Sequence, residues 1–167
     1  GVAGFIGSSI ARKLISDGYV VVGVDDFSQG KPENIPFEVE FIKGDLANSN
    51  LYEDLPKDIE KILHLAGQSS GEASFGNPVE DLKKNVISTL NLIEWGVRHQ
   101  CQRIIYASSM AVYGEQEDRP TPESVECHPL SCYGIGKFSA EQYLRIYRDM
   151  IPFTALRMFN VYGPGQD

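Results

Sequence analysis

"GVAGFIGSSIARKL", residues 1–14, is the stretch on which the fold turns. Gly1, Gly4 and Gly7 form a GxxGxxG turn that runs straight into a helix. Ile6, Ile10 and Leu14 recur at spacing four, with Ala11 and Ile15 beside them, and Gly18 is placed to stop the helix. Such a turn lets the backbone approach a pyrophosphate, and the helix N-terminus offers free N–H groups and a partial positive charge. The same pattern also serves as a helix-entry loop with packing glycines, so its meaning depends on the residues downstream of it.

Strand and helix alternate from there. "YVVVGVDD" (19–26) is β-branched and ends on Asp25 and Asp26. "VEFIKGD" (39–45) ends on Asp45, "KILHLAG" (61–67) ends in a glycine turn, and "RIIYASS" (103–109) and "FTALRMF" (153–159) complete the strands. "NPVEDLKKNVISTLNLIEWGVRHQ" (77–100) reads as one long helix with Val79, Leu82, Val86, Leu90 and Ile93 on its buried face. "YGIGKFSAEQYLRIYRDM" (133–150) is a second long helix, and the polar, Pro-containing "EQEDRPTPESVECHPLS" (115–131) is a loop. This order predicts an α/β fold, a doubly wound parallel sheet of the Rossmann type. The distinctive residues fall just after strands: Gly1 to Gly7, Asp25, Asp45, Gly67, Ser109 and Asn160. Ligands of such sheets bind at the carboxyl ends of strands, so one shared cleft is expected.

Asp25 lies 18 residues after Gly7, where a carboxylate can accept both ribose hydroxyls of an adenosine. Asp26 reads as a solvated loop acid or a helper at the adenine rim. No basic residue stands beside this pair in the sequence to hold a 2′-phosphate, which favours NAD over NADP. Tyr133 and Lys137 are four apart on a helix and share a face. A tyrosine with a pKa of about 10 is a poor base at neutral pH. A neighbouring ammonium stabilises the phenolate, and the pair can then move a proton to or from a sugar hydroxyl. Ser109, at a strand end 24 residues before Tyr133, can share that proton or hold the substrate oxygen.

Taken together, "GVAGFIG", "VDD", "GDL", "HLAG", "NPVEDLKKNV", "ASSMAVYG", "YGIGK" and "LRMFNVYGPG" run from residue 1 to residue 165 in one order. In that order the chain resembles the extended short-chain dehydrogenases/reductases, the NAD-dependent sugar-nucleotide epimerases and dehydratases. The resemblance implies Ser109, Tyr133 and Lys137 as the catalytic triad. It implies a cofactor site of Gly1, Gly4, Phe5, Ile6 and Gly7 at the diphosphate, Asp25 at the ribose, Asp26 beside it at the rim, and Asp45 and Leu46 at the adenine. Ala66 and Gly67 fall along the nicotinamide side, Leu65, Gln68, Ala107, Ser108, Tyr133 and Lys137 also belong to the cofactor site, and Asn85 is a structural or catalytic asparagine. Ser109, Tyr133 and Asn160 would meet the substrate, Asn160 at its diphosphate.

Within that family, dehydratases resemble one another in an acidic pair after the catalytic hydroxyl, and decarboxylases often keep a glutamate there. Met110 and Ala111 stand at those positions and can do neither job. The expectation is therefore 4-epimerisation of a UDP-hexose through a 4-keto intermediate. A decarboxylase, dehydratase or reductase of the same family is the alternative. A non-catalytic dinucleotide-binding module is the other class, and it would have no need of the triad.

Composition fits this reading. A net charge of −8 argues against nucleic acid as the main partner. Cys101, Cys127 and Cys132 are odd in number and match no metal or disulfide spacing, so reduced thiols in a cytoplasmic protein and no metal are expected. No apolar run reaches the ~18 residues of a membrane span. His64 reads as structural, His99 and His128 have no partners at metal spacing, and Trp95, Tyr143 and Tyr147 read as packing or surface residues. The long helices are expected to form a homodimer interface. Residues 1–167 read as one NAD-binding domain, cut before its first strand and before a C-terminal substrate domain. Such a piece is expected to fold poorly, bind NAD weakly and be inactive by itself.

Overall fold

A computed structural model of the chain describes residues 1–116 and 120–166; Glu117 to Arg119, within the anticipated 115–131 loop, lie outside it. Helix α1 (Phe5–Ser16) leads into β1 (Val22–Asp25), which pairs in parallel with β2 (Glu40–Lys43), Val24 opposite Ile42. Strand β3 (Lys61–His64) precedes two short helices, α2 (Gly71–Gly76) and α3 (Pro78–Leu82). A π-helical turn, Lys83–Ile87, joins α3 to α4 (Ser88–Arg98). Strand β4 (Arg103–Ser109), α5 (Cys132–Ile146) and β5 (Phe153–Met158) follow. All ladders are parallel, in the orders β1-β2 and β3-β4-β5, with Leu63 opposite Ile105 and Ser109 opposite Met158. The architecture is the Rossmann-type α/β arrangement read from the strand spacing.

Each half has its own apolar cluster. Ala11 and Ile15 of α1 pack on Val2, Val21, Val39 and Phe41. The larger cluster sets Ile93 and Trp95 of α4, Ala140 and Leu144 of α5 and Ile151 against Ile62, Ile104 and Tyr106. Among the described residues β1 and β3 are not hydrogen-bonded to each other. An apolar cleft of about 210 Å³ runs between them, lined by Val22, Val24, Ile62, Leu63 and the outer α1 residues Ile10 and Leu14. One bond, Val2 N–H to the Val24 carbonyl at 3.2 Å, reaches in from the first turn.

The long helix departs from the expected stripe. Val86 and Ile93 are buried as read, but Val79 is 64% and Leu82 50% exposed. The π turn inserts an extra residue, and each residue turns the face by about 100°. Just before and within it the inward positions become Asp81 and Asn85, both buried.

Candidate active site

The strands of each ladder run the same way, so Asp25 and Asp45 follow the carboxyl ends of one and Gly67, Ser109 and Asn160 those of the other; Lys84 on Asp45 and its neighbour Asn85 on Gly67 bring the two ends together. The first turn sits there too. Its helix begins at Gly4 with no side-chain cap and no acidic residue in the first turn. The leading N–H groups of α1 are thus left for an anion. Gly7 can only be glycine: a Cβ there would lie 2.0 Å from the Gly1 carbonyl oxygen. Phe5 and Ile6 are half-buried at the head of α1, Ala66 lies against Gly1, and Gly163 lies against the Phe5 ring. This uncapped, side-chain-free cradle fits the diphosphate of a dinucleotide.

Asp25 closes the cradle from behind. It is 4% exposed. One oxygen accepts from the Ala3 N–H at 2.9 Å, and the other from the Phe27 N–H at 2.8 Å. The residue read as the ribose acceptor therefore also holds the turn and the β1 exit together. Asp26 and Asp45 do not sit as isolated loop acids. Lys84, on the π turn 58 residues beyond Asp26, donates to Asp26 and, at 2.7 Å, to Asp45. Burial alone would raise the Asp26 pKa, but hydrogen bonds from Lys84 and Ser28 outweigh it and hold the carboxyl down at about 2. The premise that no basic residue stands at this end is corrected: the fold delivers one. Leu46 turns its carbonyl to the Asn91 amide at 3.1 Å and the Tyr52 hydroxyl at 3.1 Å, which fixes the loop beside Asp45.

The catalytic candidates converge at the exit of β4. Ser109 ends the strand, accepts from the Ala111 N–H at 3.2 Å, and has its hydroxyl near that of Tyr133, which stands near the start of α5. Lys137, one turn later, is 4% exposed, with its ammonium 5.7 Å from the Tyr133 ring centre and 5.0 Å from that of Tyr106. Burial pulls its pKa down to about 8 against the opposing charge of Asp81. Tyr133 goes the other way from the expectation that the ammonium lowers it. Burial raises its pKa, the neighbouring Ser109 hydroxyl lowers it less, and Asp81 adds to the rise. Desolvation of the phenolate outweighs the help of the neighbouring hydroxyl.

Asn85 donates to Asp81 at 3.1 Å, while its own carbonyl oxygen is buried without a partner. That oxygen and the Lys137 ammonium crowd Gly67, whose φ of +150° requires glycine and whose Cβ position would be 2.6 Å and 3.3 Å from them. An orphaned acceptor beside a side-chain-free turn fits a nicotinamide amide. Leu65 lines the cleft, and Gln68 bonds the Ser70 backbone in both directions at 2.7 and 2.6 Å. Ala107 is buried, and Ser108 is turned away to donate to Glu141 at 2.5 Å. Asn160 is exposed, two residues past β5.

His64 is structural, as read. Its Nε2 meets the Thr89 hydroxyl at 2.9 Å, and burial drives its pKa down to about 3, keeping it neutral. Trp95 is buried, with the His99 ring tilted against it at 4.7 Å. The sequence reading missed Asp81, Lys84 and the Glu141–Arg157 pair, in which Arg157 binds both Glu141 oxygens at 2.7–3.2 Å. Asp81 falls one residue before Leu82 on a helix read for its apolar face, so only the shifted π phase reveals it.

The residue pattern of the NAD-dependent epimerase/dehydratase family matches residues 1–167. The chain belongs to that family. Its cofactor is NAD. A putative UDP-glucose 4-epimerase of Methanocaldococcus jannaschii is 39% identical over 171 residues, covering 100% of this chain and 56% of its own length. UDP-glucuronic acid decarboxylase 1 of Xenopus tropicalis is 34% identical over 98% of the chain and 40% of its own length. The crystal structure of Thermus thermophilus UDP-glucose 4-epimerase with NAD superimposes with a TM-score of 0.96 at 35% identity, covering 100% of this chain and 56% of that one. The chain spans about half the length of the relatives it matches.

Proposed function

We propose that this protein is a sugar-nucleotide epimerase that inverts C4 of a UDP-hexose, and that residues 1–167 are its NAD-binding domain. The observation that carries this reading is the placement of Ser109 and Tyr133 beside the buried Lys137, with Ser109 followed by Met110 and Ala111 rather than by acids. The uncapped N-terminus of α1 would hold the diphosphate, Asp26 and Asp45 would border the adenosine, and Asn85 would meet the nicotinamide side. When bound, NAD supplies the acceptor and donor for the hydride at C4. Tyr133 exchanges the proton of the 4-hydroxyl, Ser109 orients that oxygen, and Lys137 sets its positive charge against the phenolate. Met110 and Ala111, which follow Ser109, can neither pull a second proton nor expel water, which is why dehydration and decarboxylation rank behind epimerisation.

The 34% identity to a decarboxylase supports the alternative of another reaction on the same scaffold. A pure dinucleotide binder is disfavoured because the triad is complete. Exposed apolar side chains on α3 and α5, Val79, Leu82, Ile135 and Ile146, support a homodimer through these helices. A cytoplasmic setting accords with three free cysteines, and no helix among the described residues is long and apolar enough to cross a membrane. The test is an assay of the whole protein with NAD against UDP-, GDP- and dTDP-sugars. Interconversion of C4 epimers without net NADH supports the reading. Net NADH, released carbon dioxide or loss of water overturns it.

A further inference from the structure

The adenosine end of the cleft holds a cation that the sequence does not show to be there. Lys84 rises from the π turn and places its ammonium between Asp26, just past the end of β1, and Asp45, two residues past the end of β2. Only 17% of its side chain is exposed. Each carboxylate is also fixed by its own loop: Asp26 accepts the Ser28 N–H at 2.8 Å and Asp45 the Ala47 N–H at 2.9 Å. Glu80 stands one turn back on the same helix, 4.0 Å from the ammonium. Lys43 leans over the Phe27 ring at 5.7 Å, and Asp25 faces inward to the first turn. With two or three carboxylates to one ammonium, the cluster is net negative. Hydrogen bonding to both acids holds Lys84 charged, its pKa raised above the ordinary lysine value despite burial.

A 2′-phosphate on the adenosine ribose would bring a further charge of about −1.5 to −2 to this spot. A free lysine here would welcome it, and a lysine clamped by two acids cannot. We propose that Lys84 is a masked phosphate-binding cation, and that its clamp by Asp26 and Asp45 is the device by which this chain excludes 2′-phosphorylated dinucleotides. Asp26 is the specificity-determining member because its removal frees the ammonium while Asp45 still positions it. Discrimination therefore lies in a contact between the β1 exit and a helix 58 residues away, rather than in the β1 exit alone.

The test measures dissociation constants of NAD and NADP by calorimetry on the whole protein stripped of nucleotide. In Asp26→Asn, the ratio of the NADP to the NAD constant is expected to fall at least tenfold. In Asp26→Asn/Lys84→Ala that gain disappears. Lys84→Ala alone leaves two bare carboxylates, so its ratio rises above that of the unaltered protein; this arm stands even if Asp26→Asn fails to fold. An unchanged ratio in Asp26→Asn, a gain that survives loss of Lys84, or a Lys84→Ala ratio that falls would each overturn the proposal. The unaltered protein is titrated first, because failure to bind NAD at all would overturn the placement of the cofactor and not merely the role of Lys84.

Discussion

Replacing Lys137 with methionine should make the protein more stable at neutral pH while destroying its proposed chemistry. Lys137 is 4% exposed, and burial lowers its pKa from 10.5 to about 8. A displacement of that size amounts to roughly 3 kcal/mol of cost for carrying the charge in the fold, at 1.36 kcal/mol per pH unit. The ammonium recovers part of it over the Tyr106 and Tyr133 rings, where such contacts contribute about 0.5–2 kcal/mol. Methionine keeps the length and packing of the stem without the charge, so a net gain of about 1–2 kcal/mol is expected at pH 7. Proton linkage sets the direction with pH. The folded pKa lies below the unfolded one, so between pH 8 and 10.5 the unfolded state binds more protons and stability rises with pH. The advantage of the variant should therefore be full below about pH 8 and shrink as pH climbs towards 10.5. Thermal unfolding of both proteins at pH 7 and pH 10, compared as a difference, isolates this group from tyrosines that titrate in the same range. A variant that melts lower at pH 7, or a difference that does not change with pH, would refute the reasoning.

Two further substitutions test the frame around the site. Gly7→Ala places a methyl 2.0 Å from the Gly1 carbonyl and must force the first turn open, so NAD affinity measured by calorimetry should drop at least tenfold. Arg157→Leu strips the partner from Glu141, which is 4% exposed, and leaves a buried carboxylate held only by Ser108. A loss of about 3–5 kcal/mol in urea unfolding is expected, because breaking a buried pair strands a charge.

Four of the five strands were legible because their apolar runs end on Asp, Gly or Ser, the fifth runs out at Phe159, and each predicted strand end lies within three residues of the observed one. Ser109, Tyr133 and Lys137 were legible as a set because helical spacing and a strand end bring them to one edge. The long helix was legible in extent but not in face. A π turn leaves no mark in an apolar pattern, and it moved Val79 and Leu82 out and Asp81 and Asn85 in. The Lys84 clamp was hidden for a different reason: it is a contact across 58 residues between side chains that each look like ordinary surface charge. The Tyr133 pKa was misjudged because sequence spacing reports the neighbouring charge and not the desolvation that outweighs it.

The most direct test of the account is Tyr133→Phe in the whole protein, read by two measurements on one sample. Bound NAD should remain at the level of the unaltered protein, since the change removes a single hydroxyl and leaves the cradle of Gly1 to Gly7 intact. Interconversion of the C4 epimers of a UDP-hexose should fall at least a thousandfold, since general acid–base catalysis contributes about 10²–10⁴-fold and Ser109 has no second base to call on. Turnover that survives with NAD in place would contradict the assignment of Tyr133, and with it the reading of this site.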